Sequence, residues 1–102
     1  MIDERDIEGK LGREVAERGG LCLKLDSAAK KGIQDRLVLL PGAKVFFVEL
    51  KRPDGGRVSV LQKVRRTQIA RMGFPALVIS SAKELDELTR SWDNEERKER
   101  GQ

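Results

Sequence analysis

One stretch limits the folds open to this chain more than any other. Lys44 to Lys51 reads Lys-Val-Phe-Phe-Val-Glu-Leu-Lys, preceded by Pro41-Gly42 and followed by Pro53-Asp54-Gly55-Gly56. Its run Val45-Phe46-Phe47-Val48 is apolar at odd and even positions alike, so a strand built from it has two faces to hide. Such a strand belongs inside a sheet, with cover on both sides.

The rest of the fold is read outward from that strand. Asp35 to Leu40 is a second strand, and the turn at Pro41-Gly42 folds the Lys44–Lys51 strand back along it. Leu21 to Asp26 alternates, with Leu21, Leu23 and Leu25 on one face and Cys22, Lys24 and Asp26 on the other, as in a half-buried strand. Ser27 to Ile33 is a loop of small residues and lysines. Upstream, a helix starts after Asp3, whose carboxylate suits the positive helix end. Ile7, Leu11 and Val15 give it one apolar stripe, and Gly19-Gly20 ends it. Downstream, Ser59-Val60-Leu61-Gln62 has the form of a capping box and opens a helix to Met72, closed by Gly73. Ala76 to Ser80 is a fourth strand. Ser81-Ala82-Lys83-Glu84 is a second capping box and starts a last helix, whose register the pattern does not define beyond Trp92. Asn94 to Gln102 is nearly all charged: a frayed helical extension or a disordered tail. The order α-β-β-β-α-β-α predicts an α/β fold with a mixed four-stranded sheet flanked by helices, one domain over 1–93 and a charged tail over 94–102.

A chain of 102 residues makes one domain. At this size folding buries only roughly 60–70% of the unfolded surface, which makes a dimer physically attractive. There is no His, which excludes the Ser-His-Asp triad, Cys-His nucleophiles and His-ligated metals. One Cys cannot form an internal disulfide, a zinc ribbon or an iron–sulfur cluster, and it fits a reducing compartment. The longest apolar runs are four residues, against the roughly 18 of a spanning helix. The acidic start Met1-Ile2-Asp3-Glu4-Arg5-Asp6 is unlike a secretory leader. The net charge of +4 is unevenly spread: residues 44–73 carry eight bases against two acids. That concentration points to a polyanion, nucleic acid first, or to a plain solvated basic face.

The chemistry concentrates at Glu49-Leu50-Lys51. Alternation places Glu49 and Lys51 on one face with Val45 and Phe47. Charges at the end of an apolar strand are costly unless paired or used; the plain alternative is a surface pair where the strand emerges. Pairing about Pro41-Gly42 brings Asp35 to the same sheet end as Glu49. Two carboxylates meeting there repel unless a cation lies between them, and Mg²⁺ or Mn²⁺ prefers such oxygen ligands. A strand-entry turn residue is the plain alternative for Asp35.

Gly32-Ile33-Gln34-Asp35-Arg36, Phe47-Val48-Glu49-Leu50-Lys51 and Ser59-Val60-Leu61-Gln62, in this order on this string of elements, resemble the VRR-NUC branch of the PD-(D/E)XK nucleases. The Ile7-Glu8 helix, Gly19-Gly20, Lys24 and the strand after Gly73 also fall where that family has them, so the resemblance spans about residues 3 to 90. It implies a restriction-endonuclease-like α-β-β-β-α-β core and a divalent metal, Mg²⁺ or Mn²⁺, held by Asp35, Glu49 and the backbone carbonyl of Leu50. It implies Lys51 as the catalytic lysine, Glu8 as an accessory acid reaching the metal through water, and Gln62 lining the site. Gln34 stands where the family usually has Pro, a change in local backbone restraint. Each assignment has a plainer counterpart: Glu8 as a solvated helix residue, with Glu14 in reserve; Gln62 as a capping residue; Lys24 as a surface lysine; Cys22 as a small packed side chain.

The activity implied is metal-dependent hydrolysis of DNA phosphodiester bonds by an endonuclease. Lys24, Arg52, Arg57, Lys63 and Arg66 are the candidate phosphate contacts. Stand-alone domains of this kind imply a phage or bacterial protein of the cytoplasm that cuts four-way DNA junctions as a homodimer. Two competing readings are a non-catalytic DNA-binding module on the same fold, and a phage accessory protein whose charged segments meet a protein partner.

Overall fold

The computed structural model describes residues 4–25, 34–51 and 60–101, with the backbone alone at residues 4–5, 34–35 and 60–62. The elements are α1 (Glu4–Glu17), β1 (Leu21–Leu25), β2 (Gln34–Leu40), β3 (Lys44–Leu50), α2 (Val60–Arg71), β4 (Ala76–Ile79) and α3 (Ala82–Arg100). The strands form one sheet in the order β1-β2-β3-β4. β1, β2 and β3 are antiparallel neighbours, and β4 joins β3 in parallel. The α/β class and the mixed four-stranded sheet expected from the sequence are therefore present. The cap at Asp3, the loop over 27–33, the turn Pro53-Asp54-Gly55-Gly56 and the capping residue Ser59 lie outside the described residues, as do Arg52 and Arg57.

The core forms on one face of the sheet. Ile7, Leu11 and Val15 of α1 are at most 1% exposed, as their spacing requires. They meet Val38 and Leu40 of β2, Val48 and Leu50 of β3, Ile79 of β4, and Leu85 and Trp92 of α3. Helices α1 and α3 thus share this face. Two ion pairs pin them together: Lys10 Nζ lies 2.5 Å from Asp86 Oδ1, and Arg18 binds both oxygens of Asp93 at 2.8 and 2.9 Å. The Trp92 ring packs 5.2 Å from that of Phe46. Of the two states expected for the tail, the structure has the helical extension. α3 runs unbroken to Arg100, and Lys44 reaches Glu99 at 3.1 Å.

The helix ends follow their glycines. At the end of α1, Gly20 N–H donates to Val15 O and Gly19 N–H to Ala16 O, both at 3.0 Å, with Gly19 at φ +78°. The same pattern closes α2, with Phe74 N–H donating to Ile69 O and Gly73 N–H to Ala70 O. Both are Schellman caps, which glycine enters without the Cβ penalty. At α3, Ser81 Oγ accepts from Glu84 N–H, and the Glu84 carboxylate accepts in return from Ser81 and, more closely, from Ser80 N–H and Oγ at 2.7 Å. The expected box is present, with Ser80 added to its return arm.

The other sheet face corrects two expectations. Leu21, Leu23 and Leu25 are 60%, 44% and 38% exposed, and Cys22, opposite them, packs against the core. The register explains this, because Cys22 pairs with core-facing Val38 while the leucines share a face with Leu37 and Leu39. Cover on both faces of β3 holds only at its C-terminal half: Val48, Glu49 and Leu50 are buried, while Val45, Phe46 and Phe47 are half-buried. The helix on this face, α2, packs toward the β4 edge and, among the described residues, does not reach the β1 leucines Leu21 and Leu23.

Candidate active site

The β2–β3 turn decides where the acids meet. Pro41, Gly42 and Ala43 form the connection, Gly42 and Ala43 at φ +87° and +61°, and Leu40 pairs with Lys44. The ladder runs back from there without a bulge and places Asp35 directly across from Glu49. Directly opposed positions in an antiparallel pair lie about 4.5–5.5 Å apart at Cα. On the other side of β3, Glu49 pairs with Val78 of β4, so it lies inside the sheet and not at an edge.

The Glu49 carboxylate is 9% exposed as a side chain, on the face turned toward α2. Arg66 of α2 approaches it, with Nη1 3.8 Å from Oε1. Beside the pair is a cavity of about 240 Å³ whose walls include Phe47, Ile69, Leu25 and Ala76, with Arg65 and Arg66 among its polar residues. Phe47 is buttressed from outside by Phe74, rings edge to face at 6.1 Å. Leu50 is fully buried; Lys51 follows it, half-buried, with its backbone N–H donating to Ile79 O at 2.9 Å. The strand pairing with β4 therefore continues through Lys51, which holds the Glu49-Leu50-Lys51 backbone in a defined course.

Not every candidate from the sequence comes to this point. Gln62 lies on α2 one turn before Arg66, and Lys63 is exposed on the same helix. Glu8 is elsewhere: its Oε1 accepts a hydrogen bond from Nη2 of Arg36, which is 4% exposed. Arg36 pairs with Val48, one position along from Glu49, so it leaves the strand on the opposite sheet face, yet it also lines the cavity beside Glu49. Lys24 is on that opposite face too, in an open groove that it lines with Glu8, Arg13 and Cys22. Burial pushes the Cys22 thiol above its usual range, which keeps it protonated and poorly nucleophilic. Glu14 is committed to Arg18 at 2.9 Å.

Two features were not visible in the sequence. Arg36 is a buried cation that neutralises Glu8 across 28 residues of chain; its one sequence signal is a charge on the apolar face Arg36-Val38-Leu40. Arg66 was legible as a basic residue but not as a neighbour of Glu49. As for metals, the described residues hold no cluster of three or more His, Cys, Asp or Glu side chains placed to bind one. Of the ligands expected from the sequence, the structure describes the buried Glu49 carboxylate and the Leu50 backbone beside it, with the Asp35 backbone paired to Glu49. A hard divalent cation suits that set. Among the described residues no helix is long and apolar enough to cross a membrane.

Comparison with known proteins places these features in context. No family model matches the chain. Over 81 residues it is 36% identical to a protein named "Putative nuclease p44" from Acyrthosiphon pisum secondary endosymbiont phage 1, a match that covers 79% of this chain and 86% of that protein. A solved structure described as a VRR_NUC domain is similar with a TM-score of 0.74 and 26% identity, over 85% of this chain and 94% of the other.

Proposed function

The chain belongs to the VRR-NUC family of nucleases, and on that premise we propose that it is a divalent-metal-dependent endonuclease acting on DNA. The observation that supports this most is the meeting of Asp35 and Glu49 at one register position, with Lys51 two residues on. Asp35, Glu49 and the Leu50 carbonyl would hold Mg²⁺ or Mn²⁺. Bound there, the ion would acidify a water and polarise the phosphoryl group.

The protein's own groups do the rest. Hydrolysis joins a water oxygen to phosphorus and breaks the bond to the leaving sugar oxygen, which takes up a proton. The Lys51 ammonium stabilises the charge that develops on the phosphate. Lys63 and Arg66, with Arg52 and Arg57, hold phosphates without reading bases. Gln62, one turn before Arg66 on α2, would line the site. Glu8 is held by Arg36, which lines the cavity beside Glu49, and would act on the site through that residue; Lys24, beside it, is kept as a peripheral phosphate contact only.

The same reading takes the substrate to be branched DNA, cut by a homodimer with one site per strand. What favours a second copy is the exposed row Leu21, Leu23 and Leu25, which another subunit would cover. It places the protein in the cytoplasm of a bacterial or phage-infected cell.

The test is cleavage of labelled four-way junction, splayed-arm and linear duplex DNA with Mg²⁺ or Mn²⁺, beside Lys51→Ala and an EDTA control. Metal-dependent cutting that Lys51→Ala lowers by about 10²–10³ is expected, the usual cost of removing one charge-stabilising group. Junction cut faster than duplex is the expected ranking. Binding without cutting in either metal would give the non-catalytic DNA-binding module instead. A stable monomer in sedimentation at micromolar concentration would remove the dimer.

A further inference from the structure

The position of Arg66 suggests more than a grip on phosphate. Its Nη1 is buried and meets no hydrogen-bond acceptor among the described residues, while Glu49 Oε1 is 3.8 Å away. That separation is an ion pair but too long for a hydrogen bond. Arg66 is one of the residues lining a cavity of about 240 Å³, with Glu49, Arg36 and Arg65. A guanidinium stays charged at any accessible pH, so it cannot yield to a second cation by losing a proton. It has to move, and its side chain is 31% exposed, so solvent lies on one side of it.

We propose that Arg66 couples metal binding to phosphate binding. Resting on the metal site read above, the inference is that Arg66 neutralises Glu49 in the free protein and opposes a divalent cation there. When a phosphodiester enters the cavity, Arg66 turns to a non-bridging oxygen, which supplies the acceptor that Nη1 lacks, in the planar geometry guanidinium and phosphate share. Arg66 then no longer opposes a cation at Glu49. The metal and DNA therefore bind with positive coupling, and the coupling is reciprocal by thermodynamic necessity. The protein without DNA holds its metal weakly, which keeps the hydrolytic centre unassembled until a phosphate is in place. Arg66 is in this sense a positioning residue that acts through Glu49.

The experiment is calorimetric titration of Mn²⁺ into the full-length protein without DNA, for wild type, Arg66→Gln and Arg66→Lys. Arg66→Gln should bind Mn²⁺ about tenfold more tightly than wild type, within the usual range for coupled sites, and Arg66→Lys should stay near wild type. A variant that merely disturbed the fold would bind less tightly, so the direction is diagnostic. Anisotropy of labelled duplex in a Lys51→Ala background supplies the second half. Arg66→Gln should change DNA affinity by less than about twofold in EDTA and lower it about tenfold with Mn²⁺. Unchanged or weaker Mn²⁺ binding in Arg66→Gln, with wild type binding measurably, overturns the coupling and leaves the metal site standing. No Mn²⁺ binding by any of the three, with cleavage indifferent to EDTA, overturns both. Should Arg66→Gln lose its helical circular dichroism, Arg66→Met replaces it, with tighter Mn²⁺ binding again expected and unchanged or weaker binding again overturning the coupling.

Discussion

Gly20 offers a test of the packing at the α1–β1 junction. A Cβ built on Gly20 would lie 2.3 Å from Leu39 O, 2.9 Å from Leu40 Cδ2 and 3.0 Å from Val15 Cγ1. The first of these is backbone in the β1–β2 ladder, where Leu39 pairs with Leu21, so it cannot turn away as a side-chain end would. Relief requires α1 and β2 to separate by about an ångström, and overpacking of this kind costs about 2–3 kcal/mol. For a domain of this size that lowers Tm by about 10–20 °C. Gly12 is the internal control. It lies within α1, and a Cβ there meets nothing within 4 Å, so Gly12→Ala should gain about 1 kcal/mol of helix propensity and raise Tm by about 4 °C. Urea unfolding followed by circular dichroism would measure both, with m unchanged if the denatured state is unaffected. Gly20 is at the end of β2 away from Asp35, so cleavage per folded molecule at low temperature should survive. A Gly20→Ala protein as stable as wild type would refute the argument that this close approach defines the junction.

Three further outcomes follow from the same structure. Trp92→Ala should cost about 3–5 kcal/mol, because it empties the contact with Phe46, whereas Trp92→Phe should cost far less, since Trp92 Nε1 is buried with no hydrogen-bond partner among the described residues; equal losses in chemical denaturation would contradict this. Arg18 holds the Asp93 carboxyl below its ordinary 3.8, and hydrogen bonds from Ser80 hold Glu84 below its ordinary 4.5. Depressed carboxylate values add stability above these ordinary values and lose it as pH falls through the folded ones. Asp93→Asn should therefore lower Tm at pH 6 and lose that difference below pH 3.8; a difference constant with pH would contradict the linkage. Lys63, exposed on α2, should behave as a single phosphate contact, so Lys63→Glu should weaken DNA binding equally across sequences and reduce the salt slope by about 1 or more. An unchanged slope would remove this face from the DNA interface.

The meeting of Asp35 and Glu49 could be counted from the primary structure because it depends on one local event. Once the turn over Pro41–Ala43 pairs Leu40 with Lys44, five residues back and five residues on arrive at Asp35 and Glu49. The α1 stripe of Ile7, Leu11 and Val15 was legible for a similar reason: a helix converts spacing directly into a face. Glu8 shows the limit. Its place on α1 was plain, but its partner Arg36 comes from a strand 28 residues away, and helix periodicity says nothing about which sheet face the helix covers.

By itself, then, the sequence determined the elements, their order, the caps that stop them and the register that opposes two acids. All of these are set by neighbours along the chain or by one tight turn. Tertiary packing alone decided which face of the sheet is covered. Leu21, Leu23 and Leu25 make as good a core face as Cys22 and Lys24 make a poor one, yet α1 and α3 pack on the side of Cys22. The reason is that β1 must follow the face set by Val38, Val48 and Leu50, and a strand in register cannot turn over without breaking its ladder. Packing likewise decided that Arg66, one of several bases on α2, comes within 3.8 Å of Glu49. A helix's position over a sheet is settled by long-range contacts that no local pattern encodes.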